Sequence, residues 1–279
     1  MILLAIVKFI HFTSLLLVFG VSLLRPLLLA HPGQQARLRN LFDPLLCLVA
    51  GLGLISGVGW LLLTTADMVG SLDTAALSRV LTQTFFGKVW ALHLLLCVGL
   101  LVCLRIPGAR TRVVARPLSA LAVATLAPIG HGSLFEGLLG QVMVINQLVH
   151  LLCVGAWLGG LLALLFVMAR PNGEDLRQLL RRFGNLGLWL VAGVAVTGLI
   201  NVRALTGTLW PSPGMSGFAT VLNIKALLVL AMLGLALFNR RSLGDPDWDV
   251  QRLKISVGLE WLMGLAALLA VSMLGGMAP

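Results

Sequence analysis

Long apolar runs recur along the chain with short polar stretches between them. They fall at 2–24, 44–65, 86–105, 117–131, 138–169, 184–203, 219–239 and 256–276. The runs are continuous rather than alternating, which predicts helices and argues against the dyad pattern of a membrane β-barrel. Most are close to the ~20 residues a helix needs to cross a bilayer. The predicted architecture is all-α: a polytopic membrane protein, a bundle of about eight transmembrane helices, with 1–279 forming a single transmembrane domain. A signal peptide competes for the first run, because residues 27–30 imitate a cleavage region. The length of the run and the Arg25-Pro26 pair behind it predict a retained helix instead. The run at 138–169 is longer than the bilayer requires and predicts tilt or protrusion. Gly53 with Gly57, and Gly155 with Gly159, form GxxxG pairs that let helices approach closely, within one chain or between chains. The polar stretch 66–85 predicts a short amphipathic helix on the outer surface.

Composition agrees with this pattern. The chain is 59% hydrophobic and only 11% charged, with a mean hydropathy of +1.02, which no soluble domain of this size shows. The net charge of +10 would suggest nucleic acid in a soluble protein. Here fifteen of the twenty basic residues fall between alternate runs: Arg25, Arg37 and Arg39; Arg105, Arg110, Arg112 and Arg116; Arg170, Arg177, Arg181 and Arg182; Arg240, Arg241, Arg252 and Lys254. The positive-inside bias makes that side cytoplasmic and both termini periplasmic. The expected location is a bacterial inner membrane, with the lipid bilayer as partner and no nucleic acid. The four cysteines, Cys47, Cys97, Cys103 and Cys153, all lie in apolar runs and read as buried packing residues rather than a disulfide framework.

The candidate chemistry sits in four histidines. His11, His93 and His150 lie roughly 10–18 Å from the outer edge at 1.5 Å per residue, and His131 ends the fourth run. A lone intramembrane histidine commonly satisfies itself on a backbone carbonyl. Four in one leaflet, on four different helices, predict convergence on a bound group, as in bundle cofactor sites. Neutral imidazole is the commonest metal ligand. Cys97 follows His93 by four residues and Cys153 follows His150 by three, placing a thiol on each helical face. Five methionines near the outer side (Met68, Met143, Met215, Met273 and Met277) add soft thioethers, although scattered methionines more often only pack. Soft sulfur with imidazole suits copper, and imidazole alone also suits zinc or haem iron. Five cations break the loop bias: Lys8, Arg79, Lys88, Arg203 and Lys225. They either snorkel to headgroups or hold an anion near the histidines, such as haem propionates or a quinone headgroup. Lys8, Lys88 and Arg203 therefore join the candidate site. The chain contains no P-loop, HExxH, GxSxG or CxxC, so hydrolase chemistry and ATP-driven pumping gain no support.

The run HLLCVGAWLGGL (150–161) resembles the signature of the CopD/PcoD copper-resistance membrane proteins, and closely that of their YebZ-like members. FIHFTSLLLVFG (9–20), GHGSLFEG (130–137) and KALLVLAMLGLALFNRR (225–241) agree with it. The resemblance covers nearly the whole chain. It implies copper homeostasis, with copper moved inward from the periplasm or supplied to periplasmic copper proteins. His11, His131 and His150 match the family motifs. Gln147 departs from them, standing where many members carry a second histidine.

The leading expectation is an inner-membrane protein that binds a copper ion from the periplasmic side through His11, His93, His131 or His150 and transports it or hands it on. A periplasmic copper-binding protein is its expected partner. The alternative is a b-type cytochrome with two of these histidines on haem b, exchanging electrons with quinol or copper, and only this reading makes the protein an enzyme, a haem-dependent oxidoreductase. A scaffold for periplasmic copper proteins, without a cofactor, is the third.

Overall fold

Helices continue past the apolar runs at most membrane boundaries, because arginine is a good helix former and the polar ends need no lipid. A computed structural model describes residues 2–29, 32–130, 135–169, 176–209, 217–243 and 249–274. These form α1 (Ile2–Leu28), α2 (Pro32–Val69), α3 (Thr74–Gln83), α4 (Phe85–Arg105), α5 (Ala109–Ala124), α6 (Gly137–Ala169), α7 (Leu176–Thr206), α8 (Gly217–Ser242) and α9 (Val250–Leu274), with a 3-10 turn at Ala127–Ile129. Eight of these elements are long and apolar enough to cross a membrane, the span after α4 running from Ala109 through the 3-10 turn to Ile129. No strand occurs among the described residues.

Two expected boundaries shift. Arg39, Arg110, Arg112, Arg116, Arg181 and Arg182 lie within helices rather than in loops. The fourth span begins at Ala109, and its α-helix stops at Ala124, ahead of Pro128, which cannot continue the ladder. His131 and His31 lie outside the described residues.

The polar stretch 66–85 does contain a short helix. Asp73 caps α3 by accepting the Ala76 N–H at 2.7 Å, and Thr84 caps α4 by accepting the Gly87 N–H at 2.9 Å. α3 buries Ala76 and Val80 and packs on α4 and α2.

α1 is the central strut. It packs on α2, α5, α6 and α9, so it belongs to both halves of the bundle. Its seam with α6 is built from glycine. A methyl group added at Gly20 would land on the Gly155 carbonyl oxygen and 2.9 Å from the Gly159 Cα. The Gly155–Gly159 pair therefore packs helices within one chain. α8 packs mainly on α9. Leu48 and Ile55 on α2, and Leu95 and Val102 on α4, are exposed apolar side chains suited to lipid.

Candidate functional site

α1, α2, α4 and α5 bring two of the predicted histidines together. His11 and His93 are both 0% exposed, and their Nε2 atoms lie 2.9 Å apart. The Gly53–Gly57 pair of α2 makes room for this. His11 Nδ1 donates to the Gly53 carbonyl at 2.9 Å, and a methyl group at Gly57 would meet His11 Cε1 at 3.0 Å. Ser56, whose hydroxyl is donated to the Leu52 and Gly53 carbonyls, sits 3.2 Å from the same nitrogen. Trp90 stacks on His93 with centroids 4.5 Å apart and donates its Nε1–H to the Gly57 carbonyl at 2.9 Å. Trp60 packs edge-on against His11. The pair is thus enclosed in aromatic and backbone contacts.

The hydrogen bonds fix what the pair can do. With Nδ1–H committed to Gly53, His11 presents a bare Nε2 lone pair. In one tautomer His93 Nε2–H donates to that lone pair and Thr125 Oγ1, 2.6 Å from His93 Nδ1, donates to Nδ1. Moving one proton from Nε2 to Nδ1 of His93 reverses the second bond. Nδ1–H then donates to Thr125, whose hydroxyl turns to the Ala122 carbonyl at 2.7 Å. Both Nε2 lone pairs now face each other, and Cys97 Sγ stands 3.4 Å from His93 Nε2. Imidazole and sulfur are the ligand types suited to Cu(I). Second-shell bonds that hold an imidazole by its other nitrogen are usual at metal sites. Metal–nitrogen bonds of ~2.0–2.1 Å at a tetrahedral angle need nitrogens about 3.3 Å apart, so a cation enters by spreading the rings slightly. No closed set of three such donors stands ready for a metal among the described residues.

His150 is elsewhere, and no hydrogen bond or ring contact links it to His11 or His93. It is 7% exposed, its Nδ1 is 2.8 Å from Thr197 Oγ1, and Thr197 donates to the Gly193 carbonyl. His150 lines a cavity of about 120 Å³ between α6, α7, α8 and α9, together with Gln147, Asn201 and Lys225. Asn146 donates to the Thr197 carbonyl and to Asn201, and Asn201 to Gln147, so these amides bridge α6 and α7. Asn223 instead donates within its own helix, to Ala219. A second cavity, of about 320 Å³, lies nearer the arginine-rich ends of the same helices and holds Glu260. Glu260 is 2% exposed and accepts from Trp157 Nε1 at 3.0 Å and Asn239 Nδ2 at 3.3 Å. Trp157 lines both cavities.

The cations do not converge. Lys8 lies over the Trp60 ring at 5.2 Å, close to the His11 site, whereas Lys88 and Arg203 are exposed. Met143 is buried, and Met68 and Met273 are exposed; Met215 and Met277 lie outside the described residues. The haem reading gains no support from the comparisons or from the histidine geometry. An iron between two axial imidazoles needs Nε2 atoms ~4 Å apart with a porphyrin between them, and His11 and His93 touch. His150 lines two adjoining cavities of about 120 and 220 Å³, each with Lys225 in its wall. Sequence reasoning missed Thr125 and Thr197, which carry the imidazoles, and placed Lys225 among stray cations. Their signal was a polar side chain deep within an apolar run.

An eight-span helical bundle with an enclosed imidazole pair defines a multi-pass membrane protein. Residues 1–141 match the family described as copper resistance protein D-like, N-terminal domain, and residues 177–274 match copper resistance protein D. The chain is 33% identical over 297 residues to inner membrane protein YebZ of Escherichia coli (strain K12), covering 98% of this chain and 97% of that protein. It is 28% identical over 298 residues to copper resistance protein D of Pseudomonas syringae pv. tomato, covering 98% and 96%. No solved structure matches the chain. The chain belongs to the copper resistance protein D family, as a multi-pass inner-membrane protein.

Proposed function

We propose that the protein takes copper from the side opposite its arginine-rich ends, the periplasmic side by charge bias, and passes it on through the membrane. Both termini lie on that periplasmic side in this reading. The names of the copper-resistance relatives support the metal. The observation that carries the reading is the His11–His93 pair, with facing Nε2 atoms and the Cys97 thiol beside them. His150 serves a different step, since a charged Lys225 at the same cavity repels a metal cation. A periplasmic copper-binding protein is the expected donor.

The test is Cu(I) binding and uptake by the purified protein in proteoliposomes. Wild type binds about one copper per chain at a soft imidazole–thiol site, and His11→Ala and His93→Ala lose it. Full copper content in both variants would sink the assignment.

A further inference from the structure

We infer that the arginine-rich ends of α1, α2, α4 and α5 form a binding site for the phosphate headgroup of an anionic phospholipid. These helices enclose a cavity of about 630 Å³, within the ~300–1,000 Å³ range of ligand sites. Five arginines line it: Arg25, Arg39, Arg105, Arg112 and Arg116. Asp43 is its one acid, so five positive charges against one negative leave four uncompensated. Both Asp43 oxygens are already engaged, one by Arg25 at 2.7 Å and the other by Arg112 at 3.1 Å. Among the described residues no carboxylate pairs with Arg39, Arg105 or Arg116.

Charge bias alone explains arginines at this end of the bundle. It does not by itself gather five from four helices around one concavity. An anion among the guanidinium groups that line one cavity offsets their like charge, and their planar forks match phosphate oxygens. The cavity stands where the helices leave the bilayer, at headgroup level, and Leu46, Leu104 and Val113 add an apolar wall for the first carbons of the acyl chains. Basic pockets between membrane helices on the cytoplasmic side bind anionic headgroups in this way. The site is independent of the copper reading.

The experiment is native mass spectrometry of the full-length protein extracted from vesicles of equal phosphatidylglycerol and phosphatidylcholine. Wild type retains phosphatidylglycerol selectively. The triple variant R39Q/R105Q/R116Q loses that retention by about a hundredfold, from three basic contacts. A control variant, R110Q/R241Q, removes two positive charges at the same end but outside the cavity, and keeps it. Thermal melts of each variant in neutral detergent show that the fold survives. Equal retention of the two lipids by wild type, or equal loss in the triple and control variants, overturns the proposal. In a parallel arm, inorganic phosphate is added at millimolar concentration. If it displaces the lipid completely and stabilises lipid-free protein equally well, the site is one for free phosphate and the lipid assignment fails.

Discussion

In the N-terminal half, His93 hangs on Thr125, and Thr125 on the Ala122 carbonyl three residues back. In the C-terminal half, His150 hangs on Thr197, and Thr197 on the Gly193 carbonyl four residues back. Both brackets orient the ring by Nδ1 and turn Nε2 toward the bundle interior. The surroundings of Nε2 then diverge. His93 meets a second imidazole and a thiol in a dry aromatic shell; His150 meets a cavity and an ammonium. A similar way of holding a ring thus sets an imidazole beside a second imidazole and a thiol in one half, and beside a lysine-lined cavity in the other. On the copper reading proposed above, the neighbours of the imidazole, more than the imidazole itself, decide which site takes the metal.

The comparison depends on the two halves being held in one register, and the α1–α6 seam does this. Gly20→Leu drives a side chain into the Gly155 carbonyl, where no side-chain rotation relieves it. Overpacking of side chains alone costs about 1–3 kcal/mol, and a backbone clash exceeds that. The expected outcome is loss of most monodisperse protein on detergent extraction. A Gly20→Leu variant with normal yield and melting temperature would show that the halves are joined elsewhere.

Next in size is the difference between the two histidine sites. His93→Ala is expected to abolish Cu(I) binding and His150→Ala to leave its stoichiometry intact, read by metal analysis of purified protein. Equal losses would dissolve the distinction between halves. Thr125→Val is the subtler probe. It removes the group that carries His93 through both tautomers and is expected to weaken copper by about tenfold, the low end for second-shell changes at metal sites. Thr197→Val should leave copper affinity unchanged. A Cu(I) competition titration on the paired variants checks both.

How much of this was readable from the residues follows from what each signal encodes. Continuous apolar runs encode span number well, and all eight expected spans correspond to helices. They encode helix ends poorly, because α2, α5 and α7 extend into arginine-bearing turns that hydropathy counts as loop. Residue count gives an expected depth for each histidine along its helix. Rotation about the helix axis was not legible. Whether His11 turns to His93 or to His150 is decided by where α2 offers Gly53 and Gly57 as a gap, and by which helices α1 touches. The Gly53–Gly57 pair was visible as a close-approach motif, but nothing in its spacing named the side chain it admits. Lys225 was visible as a misplaced cation, and only the packing of α8 shows that it shares a cavity with His150.

The smallest expected effect lies outside the membrane and concerns the N-terminal half alone. α3 rests on α4, the helix that carries His93, and is held at its start by the Asp73 carboxylate on the Ala76 N–H. That bond keeps the Asp73 carboxyl below the ordinary carboxylate range. A depressed folded value means the stabilisation is present above the pKa of the unfolded chain and disappears as pH falls through the folded value. Amide protection in α3 should therefore be constant near neutrality and decline only below about pH 4, the ordinary range for an aspartate. Asp73→Asn keeps a capping oxygen and should lose the pH dependence while retaining most of the protection. Asp73→Ala should lose both. Hydrogen exchange followed on α3, with α7 as the internal reference from the other half, separates these outcomes. Protection that falls equally in α3 and α7 would mean that acid loosens the whole bundle and that the cap is not the group titrating.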